Sequence, residues 1–162
     1  MSGVTGGLNE PRILLDETFT LGECPNWDAA NNRLYWTDIL DGALHALDVE
    51  TGARKTWKFE SELGCFGLTD QGRIIVALRK DIIFLDPQTD VRTPLARIED
   101  GIHSRTNDGK IGPDGAFWVG TMDDNADKQA IASLYRITAD GTVDENPELR
   151  CCDTVRHDHT DN

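Results

Sequence analysis

Arg33-Leu34-Tyr35-Trp36-Thr37-Asp38-Ile39, Asp41-Gly42, Ala43-Leu44-His45-Ala46-Leu47-Asp48-Val49, Thr51-Gly52 and Arg54-Lys55-Thr56-Trp57-Lys58-Phe59 follow one another almost without interruption. Three short segments rich in aromatic and apolar residues are thus separated by turn dipeptides. That order predicts hairpin-linked strands, and the alternation in residues 54–59 predicts one buried face. The same order returns downstream. Gln71-Gly72 leads into residues 73–78, residues 81–86 follow, residues 87–90 turn, and residues 91–98 close the unit. A third copy begins at Asp114-Gly115, runs through residues 116–120 and resumes at residues 133–137, with the polar segment 124–132 read as an inserted loop.

The spacing between copies is regular. Leu34 to Ile74 is 40 residues, Ile74 to Phe117 is 43, and Leu47-Asp48 lies 38 residues before Leu85-Asp86. Strands meandering with a period of about 40–45 residues predict β-propeller blades. The expected fold is therefore all-β, a propeller with about three blades at residues 21–60, 61–104 and 105–150. Residues 1–11 form an N-terminal extension. Residues 140–162, rich in acids and without an aromatic, break the blade rhythm, and 151–162 read as a disordered acidic tail. Closed propellers typically carry about four to eight blades. Three blades leave a sheet edge open, so self-association through that edge is expected.

Composition narrows the function. Asp and Glu number 29 against 16 Lys and Arg, a formal net charge of −13. Such a surface repels nucleic-acid phosphates and anionic lipid, which argues against both as partners. A hydrophobic fraction of 38% with four Trp and five Phe excludes wholesale disorder. No apolar run approaches the ~20 residues of a membrane span, and Met1 to Gly7 carries neither a basic nor an apolar segment. The chain accordingly reads as cytoplasmic. Cys24 and Cys65 read as small core fillers, and Cys151-Cys152 with His157 and His159 fits no familiar zinc spacing.

Two patches carry chemistry. Arg105-Thr106-Asn107-Asp108-Gly109 precedes a turn at Gly112-Pro113-Asp114-Gly115 and the apolar strand ending Gly120-Thr121-Met122. Leu21-Gly22-Glu23-Cys24-Pro25-Asn26-Trp27 places one carboxylate in a strand-edge turn far upstream. Asn107-Asp108-Gly109 is also a hairpin-turn signal. His45, between Leu44 and Ala46, reads as a half-exposed sheet residue, and His103 stands close enough to Arg105 to approach a pocket. Tyr35-Trp36-Thr37-Asp38 matches a tetrapeptide of extracellular receptor propellers, where it recurs in blade after blade. Here it occurs once, and that reading is the minor one.

Gly22-Glu23-Cys24-Pro25-Asn26-Trp27 resembles the Gly-Glu-x-Pro-x-Trp motif of the SMP-30/gluconolactonase/regucalcin family of six-bladed propellers. Arg105-x-Asn107-Asp108-Gly109, Pro113-x-Gly115 and Gly120-Thr121-Met122 resemble its third-blade signature, with spacing kept. The likeness covers residues 12–150, about half of a typical member. It implies a metal-dependent hydrolase opening a sugar lactone to its aldonic acid. Glu23 would be a ligand of a divalent ion, calcium or zinc, and Arg105, Asn107 and Asp124 would contact the substrate, with Asp123 as the alternative to Asp124. A hard cation takes oxygen donors such as these, and Arg offers a fork of donors to ring and hydroxyl oxygens. The family's further Asn ligand and its metal-bound Asp base have no visible counterpart, so no catalytic residue is assigned and activity is expected to be impaired or lost. Two other readings stay open: a calcium-dependent organophosphate hydrolase, and a non-enzymatic propeller fragment that binds a metal or a partner.

Overall fold

The computed structural model describes residues 13–146, and within them three four-stranded antiparallel sheets follow one another along the chain. The first holds β1 (Gly22–Asp28), β2 (Arg33–Asp38), β3 (Ala43–Asp48) and β4 (Arg54–Lys58). The second holds β5 (Leu63–Leu68), β6 (Ile74–Leu78), β7 (Asp81–Leu85) and β8 (Arg92–Arg97). The third holds β9 (Ser104–Ile111), β10 (Phe117–Asp123), β11 (Leu134–Ile137) and β12 (Val143–Asn146). Strand order equals chain order in every sheet. This is the up-and-down meander of propeller blades, joined by short connections. No helix among the described residues is long and apolar enough to cross a membrane.

The repeat seen in the sequence has a local cause. Asp48 Oδ1 accepts the backbone N–H groups of Glu50 and Thr51 at 3.1 and 2.9 Å. Asp86 Oδ1 accepts those of Gln88 and Thr89 at 2.8 and 3.2 Å. The same carboxylate thus closes the same turn in two blades, and these bonds hold both carboxyls below the usual range.

Blade 2 is sandwiched, and its strands show it. Ile74, Val76, Ile83 and Leu85 pack with Tyr35, Leu44 and Trp57 of blade 1. Ile75, Ala77, Ile82 and Phe84 pack with Phe117, Val119, Tyr135 and Ile137 of blade 3. With both faces covered, β6 and, after Asp81, β7 read as unbroken apolar runs. The inner strands approach very closely. A Cβ on Gly64 of β5 would stand 2.5 Å from Thr106 Oγ1 and 2.6 Å from the Thr106 carbonyl, so only glycine fits there. Thr106 in turn donates its hydroxyl to the Leu78 carbonyl at 2.9 Å.

A buried carboxylate ties blade 2 to blade 3. Glu99, with a side chain 1% exposed, lies 3.6 Å from Lys80 Nζ. It also accepts hydrogen bonds from Ser104, from Thr121 Oγ1 at 2.5 Å and from the Tyr135 hydroxyl at 3.2 Å. Burial lowers the Lys80 pKa, with Glu99 pulling against it, and burial beside Glu99 raises that of Tyr135. At the other end of the array, Asp38 accepts the N–H groups of Thr20 and Leu21 at 2.8 and 2.9 Å, fixing where the chain enters β1.

Four expectations need correction. Residues 21–27, read as a strand-edge turn, instead belong almost wholly to strand β1 (Gly22–Asp28), which has a register irregularity between Glu23 and Asn26. Asn107-Asp108-Gly109 makes no hairpin turn; it lies inside β9, opposite an irregularity between Val119 and Thr121 of β10. The hairpin turn sits further on, where the Gly115 N–H reaches the Gly112 carbonyl at 3.0 Å. Val143–Asn146, inside the expected third blade but in the acid-rich stretch read as breaking its rhythm, supplies β12. His45 is buried rather than half-exposed, stacked on Trp36 with ring centroids 5.2 Å apart. The N-terminal extension 1–11 and the tail 151–162, including Cys151, Cys152, His157 and His159, lie outside the described residues.

Candidate functional site

β1, β5 and β9 each end their sheet, and β1 and β9 meet a shared cavity of about 720 Å³ with their edges. Glu23, Cys24, Pro25, Asn26 and Trp27 line it consecutively, as do Asn107, Asp108, Gly109 and Lys110. Alternate residues of a strand point to opposite faces, so consecutive lining residues mean that the strand edge, not a face, is turned to the cavity. Pro25 is tolerated there because an edge strand need not donate every N–H. Cys24 takes the left-handed φ of 55° that the bulge demands.

The two patches separated by some eighty residues therefore converge. Glu23, Arg105 and Asn107 line the same cavity, with Gly64 and Phe66 between them. Arg105 is 6% exposed. Its Nη1 donates to the Thr106 carbonyl at 2.9 Å and to Asn107 Oδ1 at 3.1 Å. A guanidinium fixed this way presents a constant charge and fixed donors to a ligand. Cys24 adds a neutral thiol, since burial together with Asp108 and Glu23 raises its pKa.

Asp124 does not line the cavity. Its Oδ2 lies 2.6 Å from Arg79 Nη2 and its Oδ1 lies 3.7 Å from Arg105 Nε. Asp123 points elsewhere. Its carboxylate accepts the N–H groups of Asn125 and Gln129 at 2.9 and 2.7 Å and closes the loop after β10. His103 is exposed and meets Asp124 only through its backbone carbonyl, at 3.1 Å. Sequence reasoning overlooked Asp108 and Lys110 as cavity residues, because Asp108-Gly109 reads as a turn. It overlooked Arg79 and Glu62 as well, 2.7 Å apart and ion-paired. Burial works against the Arg79 charge, but Asp124 and Glu62 outweigh it and raise the pKa.

As a metal site the described residues are incomplete. Glu23 offers one oxygen donor, but no group of three His, Cys, Asp or Glu side chains among the described residues is placed to hold an ion.

The sequence pattern described as the SMP-30/Gluconolactonase/LRE-like region matches residues 21–152. The chain belongs to that family. Among relatives of this SMP-30/gluconolactonase chain, a 6-deoxy-6-sulfogluconolactonase of Pseudomonas putida is 46% identical over 130 residues, 80% of this chain and 44% of the relative. An L-arabinolactonase of Azospirillum brasilense is 31% identical, covering 82% of this chain and 45% of the relative. A calcium-binding protein, regucalcin, from Agrobacterium tumefaciens superposes with a TM-score of 0.75 at 30% identity, over 83% of this chain and 45% of that one. The SMP-30/gluconolactonase chain thus spans a little under half the length of these relatives, and its three sheets are blades of their propeller.

Proposed function

We propose that the cavity binds a sugar lactone for hydrolysis to the aldonic acid. The observation that carries this reading is the convergence of Glu23, Arg105 and Asn107 on one cavity, in a chain whose relatives include two lactonases. A lactone presents a carbonyl, a ring oxygen and several hydroxyls. The Arg105 guanidinium donates to the lactone oxygens, the Asn107 carboxamide binds a hydroxyl, and Glu23 accepts one from across the cavity. In the reaction, water adds to the carbonyl carbon, the ring C–O bond breaks, and the freed oxygen leaves with a proton. The described residues account for holding and orienting the ring; they include no assigned base. A calcium or zinc ion at Glu23 follows from the family resemblance, and the regucalcin relative is named as a calcium-binding protein. The donors described here do not complete its shell, so no step is routed through it.

The test is hydrolysis of glucono-1,5-lactone followed by pH-stat, beside a phosphotriester, with calcium or zinc and without. The chain is expected to hydrolyse the lactone above the spontaneous rate, impaired by the lack of an assigned base, and to leave the phosphotriester untouched. Charge-assisted hydrogen bonds contribute about 1.5–3 kcal/mol, so Arg105→Ala is expected to lower kcat/KM about 10- to 100-fold, and Glu23→Gln similarly. A parent rate equal to buffer, or variants equal to the parent, would overturn the lactonase reading.

A further inference from the structure

We propose that Arg79, from the neighbouring blade, is a positioning residue that sets the ligand-facing guanidinium of Arg105 through Asp124. The proposal rests on Arg105 being the group that meets the lactone. Arg79 occupies the turn between β6 and β7, and it grips blade 3 twice. Its backbone carbonyl accepts the Thr106 N–H at 3.2 Å, one residue from Arg105. Its side chain bridges two carboxylates, with Nη1 2.7 Å from Glu62 Oε1 and Nη2 2.6 Å from Asp124 Oδ2. The other Asp124 oxygen faces Arg105 Nε at 3.7 Å. Charges therefore alternate along Glu62, Arg79, Asp124 and Arg105, and four separate chain segments meet in one row.

The row explains why Asp124 stands outside the cavity and still matters to it. Arg105 is ion-paired at Nε with Asp124 and hydrogen-bonded at Nη1 to the Thr106 carbonyl and Asn107, and in this proposal Nη2 is the group that meets the ligand. Loss of Arg79 would release Asp124 from its second anchor and let it swing with the loop after β10. Arg105 would then keep its charge but lose its fixed direction, and a misdirected fork binds a rigid ring poorly. Lysine cannot take the place of Arg79 fully, because a single ammonium cannot span two carboxylates as a guanidinium does.

The full chain, Arg79→Met, Arg79→Lys, Asp124→Asn, the double variant Arg79→Met/Asp124→Asn and Arg105→Lys are compared by glucono-1,5-lactone kinetics and by the Arg105 Nε–H signal in nitrogen-15 NMR. That signal is assigned by its loss in Arg105→Lys. In the parent it is expected to be protected from solvent exchange; in Arg79→Met and Asp124→Asn it broadens away. KM is expected to rise about tenfold in both, with kcat changed less than about threefold. Arg79→Lys falls between, and the double variant is no worse than either single one. An unchanged Nε–H signal in Arg79→Met and Asp124→Asn overturns the proposal, as does an unchanged KM where Arg105→Lys raises it. If Arg79→Met does not fold, Arg79→Lys and Asp124→Asn decide the question by the same two readouts. A parent and an Arg105→Lys variant with equal turnover would sink the lactone reading instead, and with it the premise of this one.

Discussion

Replacing Glu99 with alanine removes the one acceptor shared by Ser104, Thr121 and Tyr135, and the ion-pair partner of Lys80. The carboxylate is 1% exposed and Lys80 only 12%, so water does not readily take over its contacts. Breaking one side of a buried charged cluster costs about 3–5 kcal/mol, because the remaining groups stay desolvated and unpaired. At about 3 °C per kcal/mol for a chain of this size, Tm is expected to fall by roughly 10–15 °C. Glu99→Gln keeps an acceptor oxygen and costs less. Lys80→Met also costs less, since the hydroxyls of Ser104, Thr121 and Tyr135 still hold the carboxylate after its ion-pair partner is gone. Urea unfolding at constant m-value measures the series. A loss below about 1 kcal/mol for Glu99→Ala, or a Lys80→Met loss equal to it, would refute the view that this carboxylate clamps blades 2 and 3.

Gly64→Ala would drive a methyl to 2.6 Å from the Thr106 backbone; because backbone cannot rotate away, it is expected to destabilise by about 1–3 kcal/mol or more, read by the same urea series. Burial, reinforced by Lys58, lowers the His45 pKa. In the unfolded chain the ring takes up a proton as pH falls below about 6.5, while the folded chain resists until its own lower pKa is reached. Stability is therefore expected to be full above about pH 6.5 and to decline below it, levelling off once the folded ring protonates. His45→Gln should flatten that part of the curve, and parallel curves for parent and variant would exclude the effect.

The sequence betrayed those strands whose two faces are both covered. Ile74–Leu78 and, after its leading Asp81, Ile82–Leu85 are apolar throughout because blades lie on either side. The innermost strands were illegible for the opposite reason. Leu63–Leu68 and Ser104–Ile111 need small residues where neighbouring backbones nearly touch, as at Gly64 against Thr106 and Gly109 against the Trp118 carbonyl. They and β1 also carry the polar and cyclic residues that face the cavity. Gly, Asn, Asp and Pro in such numbers spell turns by propensity, and packing overrides the propensity. The outermost β12, with its Val-Asp-Glu-Asn, is polar because it lies at an edge. Glu23, Arg105 and Asn107 could be found because they sit within motifs of fixed spacing. Arg79 could not, since its partners Glu62 and Asp124 lie 17 and 45 residues away and no local pattern joins them.

Because β1 and β9 turn their edges toward the cavity, backbone N–H and C=O groups join the side chains in its wall. Such a lumen stays hydrated through sequence change, and each guest must replace the bonds of the waters it displaces. Greasy guests gain little from that exchange. Molecules studded with hydroxyls can match it bond for bond, which is the match the proposed sugar-lactone ligand calls for.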